Sequence, residues 1–120
     1  MERRGAKYHR ERRAEALREE IETIVEGELG DPRIGLVSVS SVMLGSGSRS
    51  ARIFVVVQGD DAEAERTLEG LTAAVGFIRR ELAERLQLRR PPELYFQLDR
   101  SQTYAARIDE LLKRNKKRSR

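Results

Sequence analysis

At 120 residues with 38% apolar content, the chain has room for one modest hydrophobic core and not for two independent ones. It contains no cysteine, hence no disulfide framework and no thiolate metal site; no apolar run is long enough to cross a bilayer, and Met1-Glu2-Arg3-Arg4 leads into no secretory signal, so a soluble cytoplasmic protein is expected. The net charge of +4 hides a division: residues 1–13 set six cations against two acids, residues 113–120 hold six cations and no acid, and residues 14–112 sum to −6.

Cations gathered at the ends suit a polyanion binder, because each phosphate neutralised releases condensed counterions. They equally suit a small domain kept soluble by charged tails. The expected organisation is a basic N-terminal extension at 1–9, one domain at 10–112 and a basic tail at 113–120.

The first element runs from about Lys7 to Leu29, where Leu17, Ile21, Ile24, Val25 and Leu29 recur at spacings of three and four, the stripe of an amphipathic helix. Gly30-Asp31-Pro32 ends it. Ile34 to Leu44 reads as a strand whose alternation changes phase between Val37/Val39 and Val42/Leu44, which a bulge at Ser40-Ser41 would explain. Gly45-Ser46-Gly47-Ser48 is a flexible tip, and the alternation of Ala51, Ile53, Val55 and Val57 completes an antiparallel hairpin.

Asp60 or Asp61 can cap the next helix, with apolar positions at Ala64, Leu68, Leu71 and Val75. At Ala73-Ala74-Val75-Gly76-Phe77 small residues interrupt the run, and a second stripe of Ile78, Leu82 and Leu86 follows out of register, so two helices joined at a kink are expected. Arg90-Pro91-Pro92 stops the second helix, and Leu94, Phe96 and Leu98 alternate as a third strand. Ser101 can cap a last helix presenting Tyr104, Ile108, Leu111 and Leu112.

The order is helix, strand, strand, helix, kink, helix, strand, with an extra C-terminal helix: an α+β chain in the type II KH-like arrangement, a small sheet covered on one face by helices. A KH domain joins its middle helices at a GXXG loop whose backbone lies close to nucleic acid. No GXXG joins the two middle helices of this chain; Ala74-Val75-Gly76 occupies the corresponding place, and glycine there would permit close backbone approach or a tight turn.

Asp31-Pro32-Arg33, Gly76-Phe77-Ile78-Arg79, Leu86-Gln87-Leu88-Arg89 before Pro91, Leu94-Tyr95-Phe96 and Ile108-Asp109-Glu110-Leu111-Leu112, in that order, resemble the ribosome-binding factor A family from about Arg10 to Leu112. That resemblance implies a type II KH-like fold in which an Ala-X-Gly kink, here Ala74, Val75 and Gly76, replaces GXXG. It also implies a bacterial factor that binds the small ribosomal subunit and its ribosomal RNA late in assembly, assists RNA maturation and matters for growth in the cold. The Gly45–Ser50 connection departs from the family pattern.

Between residues 79 and 90, Arg79, Arg80, Arg85, Arg89 and Arg90 oppose only Glu81 and Glu84, a net +3 in an acidic body. Arginine's planar fork of donors suits phosphate oxygens. Arg10 and Arg13 on the first helix and Lys113, Lys116 and Lys117 in the tail complete the expected RNA-contacting set. The same arginines could instead pair with nearby glutamates. Phe54, Phe77 and Phe96 are expected in the core, leaving Tyr8 and Tyr95 as candidate base-stackers and recognition of RNA shape and backbone as the main mode.

Catalysis has no support: His9 is the only histidine, and Gly45-Ser46-Gly47-Ser48 lacks the lysine and spacing of a phosphate-binding loop. No cofactor, metal, membrane or small-molecule substrate is expected, and the free protein is expected to be monomeric. Two other readings fit the residues: a KH-like module for a different RNA or for DNA, and a protein-interaction adaptor whose basic ends are incidental.

Overall fold

The computed structural model describes residues 4–101, with side chains from His9 onward. Its first helix, α1, spans Arg4–Gly27, and the expected stripe forms its buried face: Leu17, Ile21, Ile24 and Val25 are all at most 5% exposed. The helix stops two residues earlier than the stripe suggests, and Leu29 packs against the core from the loop beyond. That loop turns at Asp31, whose carboxylate accepts from Arg33 N (2.9 Å) and pairs with the Arg33 guanidinium (2.7 Å).

Strands β1 (Val37–Leu44) and β2 (Ser50–Val57) form the antiparallel hairpin, and the register slips between Val39 and Ser41. The expected bulge is therefore present, and its effect is to put Val37, Val39, Val42 and Leu44 on one face, opposite Val57, Val55, Ile53 and Ala51. The tip is more ordered than its Gly-Ser composition suggests. It winds into a 3-10 turn at Ser46–Ser48, with Gly47 and Ser48 at φ of 67° and 56°, closed by Gly45 N donating to Ser50 O (2.8 Å).

Helix α2 (Asp61–Ala73) begins where Asp60 accepts from Glu63 N at 2.8 Å, and α3 (Val75–Arg85) follows after one residue. The prolines do not stop α3. Gln87 takes left-handed angles (φ 52°), and Leu88 N donates back to Ala83 O (2.9 Å), the crossing bond of a Schellman ending; Pro91 and Pro92 then aim the chain into β3 (Glu93–Leu98).

β3 pairs parallel with β2, so the sheet order is β1-β2-β3 and the two helices form the crossover that parallel pairing requires. All three helices lie on one face, where Ile21, Ile24, Ile53, Val55, Leu71, Ile78 and Leu82 are fully buried. The opposite face carries no helix among the described residues. Across it run the rows Met43, Arg52, Tyr95 and Ser41, Phe54, Gln97. Phe96 joins the core as expected. Phe54 does not: strand alternation turns it to the open face, half-buried.

After β3 the chain turns at Asp99, not at Ser101. Asp99 accepts from Ser101 N (3.0 Å) and Ser101 Oγ (2.6 Å) as helical backbone begins at residue 100. It also accepts from Ser40 Oγ (2.7 Å), the bulged serine, tying the end of β3 to β1. These bonds, first those from Ser101 and then that from Ser40, hold the Asp99 carboxyl below the usual carboxylate range. The expected helix through Leu112 and the tail lie outside the described residues.

Candidate nucleic-acid interface

Ala74 ends α2 and begins α3. Its N–H is shared between Gly70 O and Leu71 O (both 3.1 Å), while its own carbonyl accepts from Ile78 N (2.9 Å). With φ −88° and ψ −1° it bends the path without breaking it. Alanine has no polar side chain, so nothing caps the first amides of α3, and the second residue of that turn is Gly76. A Cβ built on Gly76 would meet no atom within 4 Å, and its φ is not positive. Neither steric clash nor backbone angle within the protein calls for glycine there.

Phe77, expected in the core, is 38% exposed beside this junction. The signal lay in the periodicity, since Phe77 falls outside the stripe of Ile78, Leu82 and Leu86. With Ala74, Leu29, Glu28 and Asp31 it lines a cleft of about 270 Å3. The two carboxylates are neutralised by arginines: Asp31 by Arg33 and Glu28 by Arg85. Neither carboxylate lining this cleft is left without a cationic partner.

The five arginines of 79–90 divide sharply. Arg79 donates from Nε to Pro92 O (3.0 Å) and from Nη2 to Pro91 O (2.9 Å), and lies 3.5 Å from Glu93, so its fork fastens α3 to the start of β3. Arg85 pairs with Glu28, Glu81 (3.3 Å) and Glu20 (3.5 Å), with Glu28 the chief cause of its raised pKa. Arg80 on α3 and Arg89 and Arg90 in the following turn are exposed, and no ion pair among the described residues engages them.

The structure brings Arg13 and Arg90 together on a groove of about 400 Å3 between α1, the hairpin tip and the α3–β3 turn, floored by Leu17, Leu44, Leu88 and Pro92. Arg13 also donates to Ser48 Oγ (3.2 Å) at the tip. Arg10 lies one turn earlier on α1. The start of α3 sits by the end of α1, and its end by Ala16 and Leu17, so the Gly76 junction and the Arg13/Arg90 cluster occupy opposite ends of α3, about 16 Å apart by helix rise. Lys113, Lys116, Lys117 and the side chain of Tyr8 lie outside the described residues. Tyr95, at 55% exposure, stands on the open sheet face away from both clusters.

Among the described residues no three His, Cys, Asp or Glu side chains gather as metal ligands, and no helix is long and apolar enough to cross a membrane. What remains is a small α+β protein whose open features among the described residues are cationic surface clusters, a bare helix junction and one uncovered sheet face.

Comparison with known proteins supplies the family. The family model for ribosome-binding factor A matches residues 9–112. The chain is 59% identical over 118 residues to the ribosome-binding factor A of Koribacter versatilis, spanning 98% of this chain and 96% of that protein. The crystal structure of ribosome-binding factor A from Thermus thermophilus superposes with a TM-score of 0.69 at 25% identity, covering 77% of this chain and 97% of that one. A homology model of the Thermus thermophilus factor, fitted into a cryo-electron-microscopy map of its complex with 30S, gives a TM-score of 0.54 at 26% identity, covering 71% and 93%. The chain belongs to the ribosome-binding factor A family.

Proposed function

We propose that this protein is an assembly factor that binds the small ribosomal subunit through its ribosomal RNA late in maturation, assists processing of that RNA, and performs no bond chemistry itself. Family membership and the Thermus relative fitted into a 30S complex support the choice of partner. The observation that carries the mode of contact is the Ala74-Val75-Gly76 junction. Uncapped amides beside a residue without a side chain let a phosphate approach main-chain donors at a helix start, the task a KH domain gives to GXXG. On this reading the fold is type II KH-like.

Arg80, Arg89, Arg90 and Arg13 are the side chains placed to add phosphate contacts, with Arg10, Lys113, Lys116 and Lys117 extending them. Arg79 and Arg85 serve by holding α3 in place. The free protein acts as a cytoplasmic monomer with no cofactor, and loss of it would slow growth most in the cold, where misfolded RNA escapes slowly.

The test is cosedimentation of purified protein with isolated small subunits, large subunits and assembled ribosomes at low and moderate salt. Retention by the small subunit alone is expected, falling as salt rises. Equal retention by any RNA would reduce the protein to a general RNA-binding module, and no retention would sink the proposal.

A further inference from the structure

Four large apolar side chains stand exposed among the described residues, and two of them, Met43 (58%) and Tyr95 (55%), lie on the face of the sheet opposite the helices. Half-buried Phe54 and Val56 occupy the next rows of the same face. Large apolar side chains gathered on one exposed sheet face of a small protein usually have an occupant. The charge on this face is sparse, Arg52 against Glu93, which disfavours a nucleic-acid strand and favours an apolar helix face.

We propose that the occupant is the chain's own segment 102–112. β3 delivers the chain to the edge of this face, and there Asp99, held by Ser40 and Ser101, starts a helical turn at residue 100. Beyond it Tyr104, Ile108, Leu111 and Leu112 repeat at spacings of four, three and one, one apolar stripe on a helix. Thirteen residues of helix from 100 to 112 span about 20 Å at 1.5 Å per residue. The six residues of β3 span about the same at 3.3 Å each, so a helix folded back antiparallel to β3 matches the sheet in length.

On that path Tyr104 meets the row of Phe54 and Gln97, and Ile108 the row of Met43, Arg52 and Tyr95. The covalent tether makes docking intramolecular, which removes most of the entropy cost a separate partner would bear. Docking also brings the segment's end to the hairpin-tip side of the sheet, where Glu93 N bonds Arg49 O. The cations of 113–120 would then emerge near Arg13, Arg49 and Arg90 and join one basic surface. This last consequence rests on the RNA-binding reading; the docking does not.

The chain lacks cysteine, so engineered pairs report directly. In the full chain, Met43→Cys with Ile108→Cys is expected to close an intrachain disulfide under mild oxidation on the order of tenfold faster than a control pair, Arg66→Cys with Ile108→Cys, whose first member lies exposed on α2 across the sheet. Met43 is one of only two methionines, so its methyl resonance is easily assigned. Leu111→Asp with Leu112→Asp should move that signal without loss of circular dichroism from the sheet and helices. Equal cross-linking of the two pairs with an unmoved Met43 methyl would overturn the proposal. So would disulfides that form only between chains, which would make a second copy the occupant. Neither readout involves the ribosome, so either result is independent of subunit cosedimentation.

Discussion

Gly70 and Gly76 stand on either side of the α2–α3 junction and are glycines for opposite reasons. A Cβ on Gly70 would come within 2.6 Å of Ile34 Cγ1, whereas one on Gly76 would meet nothing within 4 Å. The first closes an interior seam. There the fully buried Thr67 accepts from Gly35 N (3.1 Å), and α2 lies flat on the segment leading into β1. The second leaves main chain bare to whatever approaches from outside. The arginines nearby repeat the division, with Arg79 and Arg85 consumed in holding the fold and Arg80, Arg89 and Arg90 directed to solvent. One stretch of chain thus contains residues whose loss should damage folding and residues whose loss should damage only binding.

The strongest challenge to that division is charge reversal on the outward side. Replacing Arg80, Arg89 and Arg90 together by glutamate should weaken small-subunit binding on the order of 100-fold at low salt and flatten its salt dependence by about three phosphate contacts. The thermal midpoint should stay put, because exposed unpaired charges contribute little to folding. Unchanged affinity with normal circular dichroism would remove these arginines from the interface. Arg85→Glu should do the reverse, lowering the thermal midpoint by placing a fourth carboxylate among Glu20, Glu28 and Glu81.

On the inward side, Gly70→Ala should destabilise by about 1–3 kcal/mol in urea denaturation despite alanine's better helix propensity, because Ile34 is wedged against the helix. A gain in stability would mean Ile34 can step aside. Gly76→Ala should stabilise by about 0.5–1 kcal/mol, the ordinary helix preference, while weakening subunit binding several-fold. Stabilisation with full binding would show that no partner approaches that backbone.

The smallest effect concerns pH. Asp99 is held ionised in the folded protein by Ser101 and Ser40, so its folded pKa lies below its unfolded one. Its contribution to stability is therefore complete above the ordinary carboxylate range and is lost as pH falls through the depressed folded value. Asp99→Asn should flatten the acid limb of the stability profile and leave the neutral region nearly parallel to wild type. An unchanged acid limb would mean that the bonds to Ser40 and Ser101 do not survive in solution.

Elements with strong periodicity were legible from residues alone. The stripe of α1, the alternation of β2 and β3, the bulge at Ser40-Ser41 and the kink at Ala74 all follow from apolar spacing and its phase shifts. The misplaced features share a cause. The early ends of α1 and α3, the ordered hairpin tip and the transfer of the last cap from Ser101 to Asp99 depend on individual backbone bonds that composition does not encode. The candidate site was half legible: a net charge of +3 over residues 79–90 marks a basic stretch, but it cannot say which arginines find carbonyls or glutamates across the fold.

The linear pattern of apolar spacing, glycine and charge was sufficient for the element order, the basic ends and the family, because each is written in residues close together along the chain. It took the folded arrangement to establish that β3 lies parallel to β2, that one sheet face carries no helix among the described residues, that Phe54 and Phe77 leave the core, and that Arg13 and Arg90 line one groove across 77 positions of sequence. Those outcomes depend on where distant segments meet, and contacts of that kind are selected by the packing of the whole core, not by any local run of residues.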